Sequence, residues 1–262
     1  MDDLSIQGPE LEQTLRQLET VNRWLGGYEP SRDAIRSLLR PPLTTNTTGT
    51  DTSDLSGASR SARSISILDV GCGHGDTIED WLRNLAPLLA PSLEPATTLE
   101  IRGIDLAATT VAKAAARVGD DPRVTIERRD LFDLDPTNED DRVDVVHAAL
   151  LLHHLPGERA LEGLTQMRRL ARRGVVINDL HRHPVAYHSI WWLTRLLSRN
   201  RLIRHDAPLS VARAFTHAEL LDLAEHAGFD LASASLRWRW AFRWQLTLPT
   251  TPQSAAAATP PL

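Results

Sequence analysis

Apolar residues recur along this chain with two different periods. Between about residues 64 and 248, short runs of Ile, Val and Leu alternate with longer segments whose apolar positions fall three and four apart. That alternation is the pattern of strands joined by crossover helices in a parallel sheet. Strands are expected over 65–70, 99–104, 124–127, 143–148 and 174–178, and helices over 77–89, 107–118, 158–172 and 217–227. Two further apolar runs, 230–236 and 238–248, have no helical segment between them, so they are expected to pair as an antiparallel hairpin. The second run alternates Trp238, Trp240, Phe242 and Trp244 with Arg237, Arg239 and Arg243, the period of a half-buried strand with its arginines on the open face. The fold class is therefore α/β, a seven-stranded sheet, mostly parallel with an antiparallel last strand.

The flanks read differently. Leu11, Leu15, Leu18, Val21, Trp24 and Leu25 have helical spacing, Gly26-Gly27 breaks it, and a second short helix should end before Pro41-Pro42. Residues 1–40 are thus expected to form a helical cap over the main domain, with Trp24, Tyr28 and Arg32 facing a ligand. Residues 41–63 are rich in Thr, Ser, Gly and Asp and should be a connector, and 249–262 a Pro/Ala/Thr tail. Within the 64–248 domain, 184–205 is basic and amphipathic, with Tyr187, Ile190, Trp191 and Leu197 on one side and Arg195 and Arg199 on another. This suggests a helical lid insertion over about 184–214.

Composition narrows the class. The chain has 262 residues, 42% of them hydrophobic, enough for one sizeable core. Its 34 acidic residues exceed 29 basic ones, giving a net charge of -5 and no global attraction for nucleic acid. The single cysteine, Cys72, cannot form an internal disulfide, and residues 1–28 hold no unbroken apolar run, so the expected location is cytoplasmic. No stretch is long and apolar enough to span a bilayer, and stable membrane association is not expected.

The strongest local signal is ILDVGCGHGD, residues 67–76, which closes a buried strand and opens a helix. Gly71, Gly73 and Gly75 allow a sharp turn and close approach to a ligand, and the helix behind offers unpaired N–H groups. A dinucleotide loop would require Gly or Ala at position 76; Asp76 stands there and disfavours pyrophosphate. Asp105 follows the second strand, where a carboxylate can accept from a ribose diol; the insertion 86–98 accounts for its long distance from the glycines. Asp130 follows the third strand, placed to accept from an exocyclic amine.

On these residues the chain resembles the class I S-adenosylmethionine-dependent methyltransferases, a superfamily with a Rossmann-like seven-stranded sheet. The resemblance covers about 64–248: Asp69, Gly71, Gly73 and Gly75 match the first motif, Asp105 with Leu106 the ribose-binding position, and Asp130 with Leu131 the adenine-binding position. VDVVHAALLLHHLP, residues 143–156, looks like the fourth motif and adds His147 to the cofactor set. The resemblance implies S-adenosyl-L-methionine as cofactor, with S-adenosyl-L-homocysteine as product. Residues 178–192 and the segment after them look like bacterial small-molecule methyltransferases that act on aromatic, quinone or polyketide-like acceptors. The Asn/Asp-Pro-Pro-aromatic motif of nucleic-acid amino-methylators is absent after the fourth strand, where His147-Ala148-Ala149-Leu150 stands.

If the acceptor is a phenol, a base is useful, and His suits neutral pH. The candidates are His154 and His181, with His153 beside them, and the acceptor would meet Tyr28, Asp179, His183, Tyr187 and Trp191. His181 and His183 also have metal-ligand spacing beside Asn178 and Asp179, yet imidazoles are unusual ligands for magnesium, and no metal is assigned. The reading is thus transfer of a methyl to an oxygen, or secondarily a carbon, of a hydrophobic aromatic small molecule. Its alternative is a cofactor-binding protein without catalysis that acts through a partner.

Overall fold

The computed structural model describes residues 20, 22–23, 26–39, 64–89, 97–155, 157–197 and 201–250. Most of the first expected helix, the connector 41–63 and the tail beyond 250 lie outside them. Helix α1 (Glu29–Leu39) precedes the sheet. Strand β1 (Ser64–Val70) leads into α2 (Asp76–Asp80), a π-helical turn (Trp81–Leu85) and α3 (Ala86–Leu89). Then come β2 (Thr98–Asp105), α4 (Ala108–Val118), β3 (Val124–Arg128), β4 (Val143–Ala149), α5 (Glu158–Leu170) and β5 (Ala171–Leu180). Two helices, α6 (Pro184–Leu197) and α7 (Arg201–Arg213), occupy the expected insertion, before α8 (His217–His226), β6 (Ser235–Arg239) and β7 (Arg243–Pro249).

The seven strands run in the order β3-β2-β1-β4-β5-β7-β6. All neighbours are parallel except β5 with β7 and β6 with β7, so β7 alone runs against the rest. The order reverses between β1 and β4, the switch point at which an open α/β sheet forms a crevice beyond its strand ends. Each sheet face carries its own core. One packs Ile67, Ile101, Val145 and Val176 against Ile35 of α1 and against Ile78, Trp81 and Leu85. The other packs Val146, Val175, Ile177, Trp244 and Leu246 against Leu164 and Met167 of α5 and Leu220 of α8. Gly103 of β2 permits this closeness: a Cβ there would lie 2.7 Å from Ile78 and 2.9 Å from Ile126.

Two boundaries differ from expectation. Helix α5 stops at Leu170 and β5 begins at once at Ala171, because Ala171 takes an extended conformation and its N–H still closes the last helical turn. The hairpin turns at 240–242, not at 237, because Ala241 (φ 61) and Phe242 (φ 55) both adopt the left-handed conformation without a glycine or asparagine to announce it. The aromatic and arginine alternation therefore does not describe one strand. Trp244 is buried, Trp240 is exposed in the turn, and Arg243, expected on the open face, is only 5% exposed.

The β3–β4 connection is pinned by a buried carboxylate. Asp141 accepts from Arg129 Nη1 and Nη2 at 2.9 and 3.0 Å and from the Asp135 N–H at 3.0 Å, with Arg102 Nη1 at 3.4 Å. Burial pushes its pKa up, but the Asp135 N–H and the two guanidiniums outweigh that and hold it below the usual carboxylate range. A lowered folded pKa stabilises the protein fully above the unfolded value of about 4, and that contribution is lost as pH falls through the folded value. Asp141→Asn should therefore cost about 2 kcal/mol at neutral pH. In urea melts the gap between variant and wild type should narrow below about pH 4; a gap independent of pH would refute this role.

Candidate active site

The glycine loop forms the floor of the crevice. Gly71, Gly73 and Gly75 have φ of 69, 55 and 80, all left-handed, and the N–H groups of Gly71 and Cys72 both donate to the Ile104 carbonyl. This ties the loop to the end of β2. A Cβ on Gly73 would meet nothing within 4 Å, so open space lies against the backbone there. Asp105 sits at the rim: one carboxylate oxygen accepts from the Gly73 N–H at 3.0 Å, the other from the Ala107 N–H at 2.9 Å and the Thr110 hydroxyl at 3.1 Å. With two lone pairs per oxygen, three of the four are taken and one remains, on the oxygen that faces Gly73, to accept from a ribose hydroxyl. Leu106 beside it is exposed. Asp130 accepts from the Phe132 N–H at 3.1 Å through one oxygen, which caps a short 3-10 turn, and Leu131 beside it is buried.

Beyond the loop lies the exit of β4. Leu150 holds a left-handed φ of 53 and donates its N–H to the Asn178 carbonyl, and a Cβ on Gly71 would lie 3.0 Å from Leu151. The next turn carries His153, whose Nδ1 lies 2.5 Å from Asp179 Oδ1 and whose N–H donates to Asp179 Oδ2 at 3.2 Å. Asp179 also accepts the Leu180 N–H and is fully buried. Burial alone would raise its pKa, yet His153 and the two N–H donors hold it below the usual carboxylate range. A carboxylate at that position requires the proton of His153 on Nδ1, which leaves Nε2 as the acceptor. The side chain is buried, 3% exposed, and among the described residues the hydrogen bonds of its ring run through Nδ1. His154 stacks against His153, with ring centroids 4.1 Å apart.

Several expected contacts resolve otherwise. His147 is fully buried, with Nδ1 on Asp69 at 2.7 Å and Nε2 on the Ser31 hydroxyl at 2.8 Å, so neither nitrogen reaches a ligand. Asp69 is equally inaccessible; burial raises its pKa, only partly offset by His147. Asn178 Nδ2 donates to Ser31 and to the Gly27 carbonyl, so a polar chain ties α1 to β1, β4 and β5 beneath the loop. The Tyr28 hydroxyl donates to Asp76 at 2.6 Å, and Arg32 pairs with Asp80, clamping α1 onto α2 instead of opening toward a ligand. Asp179, expected to touch the acceptor, is occupied in orienting His153. His183 Nδ1 accepts from the Val185 N–H at the start of α6. His181 lies against Trp244 with centroids 4.4 Å apart, and burial lowers its pKa. Tyr187 and Trp191 are half-buried on α6, where the Arg195 guanidinium covers the Trp191 ring at 3.6 Å. Trp24 and Arg199 lie outside the described residues.

Ser31 and Thr110 carried no sequence signal, and Arg243 carried one that pointed to solvent. Arg243 donates from Nη2 to Asn22 at 2.7 Å, its Nη1 has no partner, and burial brings its pKa down to about 10 although Asp179, Tyr28 and Asp76 favour the charge. The thiol of Cys72 is buried, and burial pushes its pKa well up, so it is no nucleophile.

Residues 68–177, from β1 through β5, match the family model of a methyltransferase domain. The chain thus carries a methyltransferase domain. No curated protein matches it in sequence. Among solved structures, the DszA carbon methyltransferase superposes with a TM-score of 0.53 at 21% identity, covering 74% of this chain and 49% of that one. The plantazolicin methyltransferase BpumL, in complex with SAH, gives 0.52 at 16%, covering 71% and 76%. An O-methyltransferase family protein from Burkholderia thailandensis gives 0.50 at 15%, covering 72% and 52%. At these identities the likeness is one of fold.

The groups at the strand ends could hold the cofactor of this methyltransferase. The open space at Gly73, the Asp105 carboxylate at the end of β2, exposed Leu106 and the Asp130 carboxylate would hold amino acid, ribose and adenine in turn. Asp69 supports this set from below the loop, where the sequence had placed it in contact.

Proposed function

We propose that this methyltransferase transfers a methyl group from S-adenosylmethionine to an oxygen of a hydrophobic aromatic small molecule, with His153 as general base. The observation that carries the reading is the His153–Asp179 pair, 2.5 Å apart at the exit of β4. The cofactor supplies an electrophilic methyl on a sulfonium. The protein has to align the acceptor and take its proton. A buried carboxylate fixes the imidazole in the tautomer that accepts at Nε2, and the left-handed Leu150 sets the turn that brings His153 beside the glycine loop. Trp244, Phe242 and His183 line up next to His181 with centroids 4.4–6.3 Å away, giving the β5 end an aromatic wall suited to a flat apolar acceptor. The Asp-His geometry suits an acceptor that must lose a proton, as a phenolic hydroxyl does.

A panel of phenols and hydroquinones incubated with methyl-labelled S-adenosylmethionine tests the proposal. The expected product carries the label on a phenolic oxygen. Label found only on ring carbon, or on no member of the panel by a protein that binds the cofactor, would overturn it.

A further inference from the structure

The insertion leaves an apolar surface that the folded domain does not use. Helix α6 turns Ala186 and Thr194 inward, while Val185, Trp192, Leu193 and Leu196, one stripe along its opposite side, are 43–75% exposed. The tip of the β6–β7 hairpin adds Trp238 and Trp240, 48% and 70% exposed. The two patches are joined: Phe242 in the hairpin turn stacks on His183 at the start of α6 with centroids 5.3 Å apart, and Trp238 packs edge-on against Phe242 at 6.0 Å. The helices of the insertion are net basic. Helices α6 and α7 contain Arg195, Arg201, Arg204 and Arg213 against the single acid Asp206, in a chain whose net charge is -5. No described helix is long and apolar enough to cross a membrane.

We infer that the outward face of α6, together with the hairpin tip, docks the protein reversibly on an anionic lipid surface. Trp and Leu side chains enter the interfacial layer, and the arginines of α6 and α7 meet lipid phosphates. The remainder of the chain is acidic and is repelled by such a surface, which orients the molecule with this face down. A second copy of the chain fits less well, because a two-fold contact through this face would set two arginine rims against each other. The association is peripheral, reversible and dependent on charge, and is compatible with the expectation of no stable membrane association.

Flotation of the full-length protein tests it, with vesicles of phosphatidylcholine alone and of phosphatidylcholine mixed with phosphatidylglycerol. Binding is expected only with phosphatidylglycerol. It should weaken as sodium chloride is raised and fall by at least about tenfold in Trp192→Ser/Leu196→Ser, two exposed positions whose replacement should leave thermal unfolding unchanged. Trp240→Ser in the hairpin provides a second, separate variant with a smaller loss. Absence of binding to both vesicle types, binding indifferent to these substitutions, or a vesicle-free dimer that the same substitutions dissociate would each overturn the inference. None of these readouts depends on methyl transfer.

Discussion

Replacing His153 by alanine is expected to lower kcat by about 10²–10⁴-fold, the usual worth of a positioned general base, while the affinity for S-adenosylmethionine stays unchanged. The imidazole touches Asp179 and stacks on His154, and none of the cofactor-facing groups depends on it. Added imidazole should restore part of the rate in His153→Ala, an effect that a purely structural role would not show. Asp179→Asn should also lower kcat, because an amide can donate to Nδ1 and so stabilise the wrong tautomer. The measurement is turnover with labelled cofactor on whichever phenol the wild type methylates. A His153→Ala enzyme with wild-type kcat would assign the proton to another group, with His154 and His181 next in line.

Replacing Asp105 by alanine should weaken cofactor binding by about 10- to 100-fold, equivalent to the roughly 1–3 kcal/mol lost with a charged hydrogen-bond partner. The loss has two sources. The carboxylate is the only acid at the end of β2 able to accept from a ribose diol, and it also accepts the Gly73 N–H that shapes the loop. Asp105→Asn keeps an acceptor for the Gly73 N–H and should lose less. Comparison of the two variants by calorimetry separates ligand contact from loop support: equal losses would mean that the whole effect comes from the diol. Unchanged affinity in both would remove Asp105 from the cofactor site.

Much of this was readable from residue pattern. The alternation of apolar runs predicted the first five strands, the last one and the antiparallel ending, whereas the strand expected over 230–236 runs over Ser235–Arg239; Asp105 and Asp130 stand at the strand ends where the spacing put them. What failed has physical reasons. A left-handed turn made by Ala241 and Phe242 has no residue signature, so the hairpin was placed three residues early and Arg243 was assigned to solvent. His147 was counted as a ligand contact because it lies in a motif strand, but periodicity does not say which face of the sheet α1 covers. Ser31 covers that face, and the resulting chain of Asp69, His147 and Asn178 is a long-range product of docking. His153 was one of three candidate bases; only its pairing with Asp179, 26 residues away in sequence, distinguishes it.

The most direct test of the central claim is calorimetric titration of the full-length protein with S-adenosylmethionine and, separately, with S-adenosylhomocysteine. The account predicts saturable binding of both at a single site, with both affinities reduced in Asp105→Ala. Absence of heat from either ligand, in protein that unfolds cooperatively, would contradict it.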